Sequence, residues 1–197
     1  MAKLLYQGHG SYRLTTDAGV VIYIDPFAGK GYDLPADIIL VTHQHRDHNQ
    51  IELVAKKKDC LVISNQEALK NGKYQNFSIK GIQIDAVPAY NKNHKREESV
   101  GYVLSLDRIK IYASGDTSTT EEMKTLLPGY HLDYAVLPID GFYNMDAKEA
   151  SFCASLIGAK HTIPIHMKPG ALFDRTTAET FDAPNRLIVE PSQEIEL

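Results

Sequence analysis

The sequence predicts an α/β protein made of two sheets flanked by helices, and three observations carry the prediction. The first third is dominated by short β-branched and aromatic runs broken by turn residues. Towards the carboxyl end, apolar runs alternate with helix-patterned segments. The 197 residues, 43% of them hydrophobic, suffice for one sizeable core, so a single domain over residues 1–197 is expected.

Each element follows from local pattern. KLLYQGHGSYRLTT and GVVIYIDPF read as opening strands, interrupted at Gly8, Gly10 and Asp17 to Gly19. ADIILVT is a buried strand because Ile38 to Val41 is an unbroken apolar run. NQIELVAKKK has a helical pattern, CLVIS reads as a buried strand, and NQEALKN as a short helix opened by an Asn or Ser cap. Strands are predicted at NFSIK, IQIDAVPA, SVGYVLSL and IKIYASG, the last two joined by a tight hairpin at Asp107-Arg108. TSTTEEMKTLL, with a Ser/Thr start and acids in its first turn, predicts a helix. DYAVLPI is a strand, DAKEASFCASLIG a helix and HTIPIHM a strand, and RLIVEPSQEIEL closes with extended segments. Strand-to-loop junctions bearing Asp or His recur in both halves: IDPF and VTHQHRDH, then SGDT and PIHMK. Such an echo is what a pseudo-symmetric sandwich would produce if its loops met along one edge.

Charge and composition narrow the function classes. The net charge is −4 and the pI about 6.0, with lysines mostly interspersed among acids, so nothing draws the chain to nucleic acid or an anionic membrane. No apolar run approaches the ~18 residues that span a bilayer. The two cysteines, Cys60 and Cys153, sit in apolar segments without CxxC spacing and are expected to be buried free thiols in a reducing cytoplasm.

The chemistry concentrates in VTHQHRDHN, where His43, His45, Asp47 and His48 fall within six positions after an apolar strand. A loop leaving a strand can turn alternate side chains the same way, so His43 and His45 can chelate one divalent ion while Asp47 and His48 address a second. Further candidates end or follow predicted strands. His94 lies in the polar loop NKNHKREES, a context that suits an exposed histidine as well as a ligand. Asp116 in ASGDTST suits a helix cap or turn as well as a metal. His166 follows an apolar strand that His161 opens; their spacing of five puts them on opposite faces, making His166 the better ligand and His161 the structural one. His9, between glycines, suits either a turn or an approach to the site, and His131 reads as surface.

HQHRDH matches the H-x-H-x-D-H signature of the metallo-β-lactamase superfamily, with His94, the GDT of Asp116 and strand-end His166 following in its order. GHGSYRL, IDPF, VPAYN, VGYVL, IYASGDT, LPIDGFYNMDAKEA and IPIHMK resemble the small stand-alone hydrolases of that superfamily. Their relatives include L-ascorbate-6-phosphate lactonase and the phospholipase D acting on N-acyl phosphatidylethanolamines. The resemblance runs from about Gly8 to His166. It implies a four-layer αβ/βα sandwich with two mixed sheets flanked by helices and a metal site at one edge. It further implies that His43, His45 and His94 hold one ion, that Asp47, His48 and His166 hold the other, and that Asp116 bridges them. A hydroxide shared by two divalent ions would then be the nucleophile, with Asp47 orienting it. Zinc is the expected metal, and manganese or iron is compatible with the same donors. Asp25 and Asp37 are expected behind the ligand loop, Asn91 as a neighbour or substitute for His94, and Tyr143, Lys168, Lys92 or Lys95 at a substrate phosphate. Relatives often carry a tyrosine after the last ligand where this chain has Met167 and Lys168.

The expected function is thus metal-dependent hydrolysis of a small ester, lactone or phosphodiester. The alternatives are a nucleic-acid or phospholipid phosphodiesterase and a non-hydrolytic di-metal binding or redox protein. A small-molecule substrate, no nucleic-acid partner, no membrane span, a cytoplasmic location and an optional homo-oligomer complete the expectation.

Overall fold

The computed structural model describes all 197 residues. Strands β1 (Lys3–Gly8), β2 (Ser11–Thr15) and β3 (Val21–Ile24) form an antiparallel meander, and β4 (Ala36–Leu40) and β5 (Lys56–Ile63) extend the sheet in parallel. Helix α1 (Asn65–Ala68) and a small hairpin of β6 (Leu69–Lys70) and β7 (Lys73–Tyr74) follow. A second antiparallel meander comprises β8 (Asn76–Ile79), β9 (Ile82–Pro88), β10 (Val100–Leu106) and β11 (Ile109–Ala113). Helix α2 (Glu122–Thr125) leads to β12 (Tyr134–Pro138) and α3 (Ala147–Ile157) to β13 (His161–Ile165), which extend this sheet in parallel. After α4 (Arg175–Thr180), β14 (Glu194–Glu196) pairs antiparallel with β1. The strand orders are 14-1-2-3-4-5 and 13-12-11-10-9-8. Both sheets are therefore a meander followed by two parallel strands, the pseudo-symmetry that the junction motifs echo.

Period-two alternation sorts the side chains into layers. Ile22, Ile24, Ile38 and Leu40 of the first sheet join Tyr102, Leu104 and Ile111 of the second in the core between the sheets. On the second sheet's outer face, Val103, Tyr112 and Leu137 pack under Met123 of α2 and under Cys153 and Ile157 of α3. Each fully buried Leu or Ile contributes about 1.5–3 kcal/mol. Helix α3 starts where Asp146 accepts a hydrogen bond from Glu149 N–H and stops at left-handed Gly158. The first sheet's outer face carries Val21, Tyr23, Ile39 and Val41, covered by Val54 and Tyr32 rather than by a long helix.

That thin layer corrects the helix expected over NQIELVAKKK. Only Ile51–Leu53 coils, as a 3₁₀ turn, and the lysines open β5. Pairing of Ile38, Ile39 and Leu40 with Leu61, Val62 and Ile63 satisfies β5's backbone, and Lys56, Lys57 and Lys58 blunt an open edge. CLVIS is not a buried strand either: Leu61 is 48% and Val62 36% exposed because nothing covers the edge, and the Cys60 thiol is half-buried. Helix α2 is shorter than TSTTEEMKTLL predicted, since Thr119 spends its N–H and hydroxyl on Glu149 of α3 instead of capping α2. The tail contributes one short strand, and α4, capped by Asp174, was not foreseen. Ser64, one of the two caps expected, opens α1, and Glu67 completes a capping box with it. The Asp107-Arg108 turn joins β10 and β11, with Asp107 at φ 49°. No helix is long and apolar enough to cross a membrane.

Three bonds pin the two sheets together at one edge. Tyr102 donates its hydroxyl to Val41 O (3.0 Å), Val100 donates its N–H to Thr42 O (3.0 Å), and His166 donates its N–H to His9 O (2.8 Å). The carboxyl ends of the parallel strands of both sheets meet there.

Candidate metal centre

Strand ends deliver the polar groups of the site. Asp25 follows β3, His43 lies three residues past β4, Asp116 follows β11, Asp140 follows β12, and His166 directly follows β13. Parallel strands point their carboxyl ends the same way, so five junctions far apart in sequence converge. Gly115, at φ 61°, brings Asp116 against Thr42: a Cβ there would lie 2.6 Å from Thr42 Oγ1.

Most of the histidines in the site are held by Nδ1. His43 Nδ1 is 3.0 Å from Thr42 Oγ1, His48 Nδ1 is 2.9 Å from Asp25 Oδ2, and His94 Nδ1 is 2.9 Å from Asn91 Oδ1. His166 Nδ1 lies 3.0 Å from Asp140 Oδ2, with the oxygen off the ring's N–H line, so this contact is electrostatic more than a hydrogen bond. Their Nε2 atoms all turn towards Asp116. The distances to its carboxylate are 3.2 Å for His94, 3.3 Å for His48, 3.6 Å for His166 and 4.0 Å for His43. His45 is exposed, its ring 4.7 Å from that of His43 and 5.0 Å from that of His94.

The donor atoms fit divalent cations. His43 Nε2, His48 Nε2, His166 Nε2 and Asp116 Oδ1 are buried without a hydrogen-bond partner, which costs about 1–3 kcal/mol each unless something satisfies them. Donors around one tetrahedral zinc sit ~3.3 Å apart, given bonds of about 2.0–2.1 Å. Several of the separations above cluster near that value. Ligand-capable atoms fall within 4.8 Å of one another in three groups: His43, His45 and His94; His9, Asp47, His48 and His166; and His43, His48 and Asp116. Asp116 touches members of the first two groups.

The electrostatics agree with a site built for positive charge. Burial would raise the Asp116 carboxyl, but the imidazoles of His48, His166, His94 and His43 hold it well below the carboxylate range. Burial, then neighbouring imidazoles, push His43 well below the ordinary histidine value. Burial also acts to lower His166, yet Asp116, Asp140 and Asp47 outweigh it and lift the imidazole to about 10.

Of the expected residues, His43, His45, Asp47, His48, His94, Asp116 and His166 come together. Asp25 tethers the ligand loop, accepting from Thr42 N–H and Thr42 Oγ1 (2.7 Å each) as well as holding His48. Asn91 is a neighbour of His94 and not its substitute. It orients the ring and donates Nδ2 to Tyr143 O and Asn144 Oδ1. Tyr143, 45% exposed, lines the cavity in front of the histidine cluster. Asp37 is a correction: it sits at the other end of β4, paired with Lys57 (2.7 Å) and Lys80 (2.6 Å) and bonded to Val21 N–H. Lys168 is another. Its side chain is 62% exposed and leans on Asp174 at 3.7 Å, while Pro169 and Gly170 face the cavity and Met167 is buried. Lys95 pairs with Glu98, and Lys92 lines a separate polar cleft with Ser118 and Glu149. His161 stacks on Tyr134, and His131 is exposed.

Sequence reading missed Asp140 and Asn144. Asp140 Oδ1 accepts from the N–H groups of Phe142 (2.8 Å) and Tyr143 (2.6 Å), and Oδ2 accepts from Asn144 Nδ2 (2.8 Å). Its position directly after a strand of the parallel set was the available signal. The cavity, about 430 Å³, is lined by His45, Asp47, Asn93, His94, Asp116, Tyr143, Pro169 and Gly170.

Comparison with known proteins agrees with this architecture. A β-lactamase superfamily domain model matches residues 3–166. A metal-dependent hydrolase of Thermococcus onnurineus is 30% identical over a 192-residue alignment covering 84% of each chain. The crystal structure of a candidate metal-dependent hydrolase from Parabacteroides distasonis superposes with a TM-score of 0.77 at 30% identity, covering 94% of this chain and 91% of the other. A metallo hydrolase of Ignicoccus hospitalis shares the fold at a TM-score of 0.77 and 22% identity, covering 98% and 97%. With the family pattern running through both sheets and enclosing the strand-end donors, the chain belongs to the metallo-β-lactamase superfamily and is a metal-dependent hydrolase.

Proposed function

We propose that this hydrolase cleaves a small ester or lactone at a centre of two divalent cations. His43, His45 and His94 would hold one, Asp47, His48 and His166 the other, and Asp116 both. The observation that carries the reading is the convergence of unpartnered buried Nε2 atoms on one carboxylate. Bound there, two such cations acidify water towards neutrality and polarise the scissile group. Zinc is the expected occupant, and manganese or iron suits the same nitrogen and oxygen donors.

The chain's own residues prepare the reaction. Asp47 is the carboxylate open to the cavity, its side chain 36% exposed; Oδ2 turns inward to within 3.1 Å of His9 Nε2, leaving Oδ1 to orient the attacking water. Burial would raise that carboxyl, but contacts with His166 and His9 hold it below the usual range, so it is present as the anion. Tyr143, Pro169 and Gly170 form the wall against which the substrate lies. No lysine or arginine lines the cavity, which favours an ester or lactone over a phosphodiester, whose anionic oxygens would gain from a cationic clamp.

The test is elemental analysis of the purified protein together with hydrolysis of p-nitrophenyl acetate, γ-butyrolactone and bis(p-nitrophenyl) phosphate, with Zn²⁺, Mn²⁺ or Fe²⁺ added. About two metals per chain, and ester or lactone turnover above phosphodiester turnover, are expected. Unchanged metal content and activity in His43→Ala would overturn the reading.

A further inference from the structure

His9 is placed like a ligand, although neither the sequence signature nor the family comparison assigns it a role. It is 2% exposed and adopts a left-handed conformation (φ 57°) that costs a non-glycine residue about 1–2 kcal/mol. Its surroundings fix that conformation. His9 N–H donates to Leu172 O (2.6 Å), and His9 O accepts from His166 N–H (2.8 Å) and from the Tyr6 hydroxyl (2.7 Å). The flanking residues must be small: a Cβ on Gly8 would lie 2.8 Å from Leu172 Cβ, and one on Gly10 would lie 2.8 Å from His48 Cε1. The His9 ring packs on His166 with centroids 3.7 Å apart.

The orientation of the ring carries the argument. His9 Nδ1 lies 3.1 Å from Ala171 O. A carbonyl only accepts, so Nδ1 carries a hydrogen, and Nε2 is the nitrogen that faces the site. It lies 3.1 Å from Asp47 Oδ2, in a group whose ligand-capable atoms, with those of His48 and His166, all fall within 4.8 Å of one another. The 3.1 Å separation is close to the ~3.3 Å expected between two donors of one tetrahedral zinc. His43, His48 and His94 show the same arrangement, with Nδ1 hydrogen-bonded and Nε2 aimed inward.

We infer that His9 is a metal ligand, giving Nε2 to the cation that Asp47, His48 and His166 hold. The second ion then has four donors of its own beside the shared Asp116, whereas the first has three. The inference rests on the proposed two-ion centre.

The test is ¹⁵N NMR of histidine-labelled protein loaded with ¹¹³Cd²⁺. A ¹¹³Cd–¹⁵N scalar coupling at His9 Nε2 is expected, as at His48 and His166. Couplings at those two with an uncoupled, protonated His9 Nε2 would overturn the assignment and leave the two-ion centre standing. No coupling at any histidine would overturn both. A variant gives a second readout. In His9→Gln the amide nitrogen can still donate to Asp47 but replaces the imidazole donor, so chelator competition should show the second ion weakened at least about tenfold, with the first unchanged. Wild-type affinity for both ions in this variant would show that His9 only holds Asp47, and would overturn the inference. If the variant fails to fold, the wild-type NMR result stands alone.

Discussion

Asp25→Asn should disarm His48 as a metal donor while leaving the space around it filled. Asp25 follows β3 at φ 46°, a conformation that Asn tolerates as readily as Asp, so the backbone need not move. The carboxylate has two jobs. Oδ1 accepts from Thr42 N–H at 2.7 Å, while Oδ2 accepts from Thr42 Oγ1 at 2.7 Å and faces His48 Nδ1 at 2.9 Å. An amide that keeps its oxygen on the Thr42 N–H turns its NH₂ towards His48, and Nδ1 must then accept. The ring proton moves to Nε2, the atom 3.3 Å from Asp116, and the lone pair that would bind metal becomes an N–H. Loss of such an orienting partner costs about 10–100-fold in metal affinity, or about 1.4–2.7 kcal/mol. Competition with a fluorescent chelator would resolve the two proposed ions. The second should weaken by that factor and the first by less than about threefold. Wild-type affinity for the second ion would refute the tautomer argument, and equal weakening of both would show general disorder instead.

Three other outcomes follow from the same geometry. Gly115→Ala combines a positive φ of 61° with a Cβ placed 2.6 Å from Thr42 Oγ1, so urea unfolding should show a loss of about 2–4 kcal/mol; a variant as stable as the wild type would contradict the close approach. Asn91→Leu removes the acceptor that holds His94 Nδ1, and should weaken the first ion about tenfold while the second keeps its affinity in the same titration. For Asp37, burial acts to raise the carboxyl, but Lys57, Lys80 and the Val21 N–H hold it at about 2, below its ordinary 3.8. A depressed carboxyl stabilises the fold above its unfolded value and loses that contribution as pH falls through about 2. Because both lysines are partly solvated, the contribution is about 1–2 kcal/mol rather than the full conversion. Asp37→Asn should therefore be less stable than wild type at pH 7 by that amount, with the gap closing as pH approaches 2; a gap independent of pH would exclude the ion pairs as its cause.

Much of the fold was legible because strand patterns are local. A continuous apolar run marked β4, the Asp107-Arg108 turn marked the hairpin of β10 and β11, and an Asn or Ser cap marked α1. The misreadings have one cause. Lys56 to Asp59 has no strand pattern of its own, and joins the strand read at CLVIS because β4 offers it a partner. Likewise Thr119 would cap α2 if Glu149 of α3 did not claim it first. In the site, His43, His45, Asp47 and His48 were visible as a cluster because they are neighbours in the chain. Asp140 was not, because an aspartate after a strand announces no partner until β12 and β13 lie side by side and bring it to His166.

By itself the sequence determined the kind of chemistry: imidazole and carboxylate donors, several packed into six residues, suit a divalent metal through their own lone pairs wherever the chain puts them. It also determined that the apolar strands would bury themselves as sheets. Only the tertiary structure decided how the distant partners hold the rings: Thr42 and Asn91 hold the Nδ1 atoms of histidines one and three residues away, but Asp25 and Ala171 reach His48 and His9 through sheet pairing and loop packing. It likewise turned Lys168 away and brought His9 in. These placements depend on contacts between residues as far apart as His9 and Ala171, and no local pattern encodes a distance that the folded core must set.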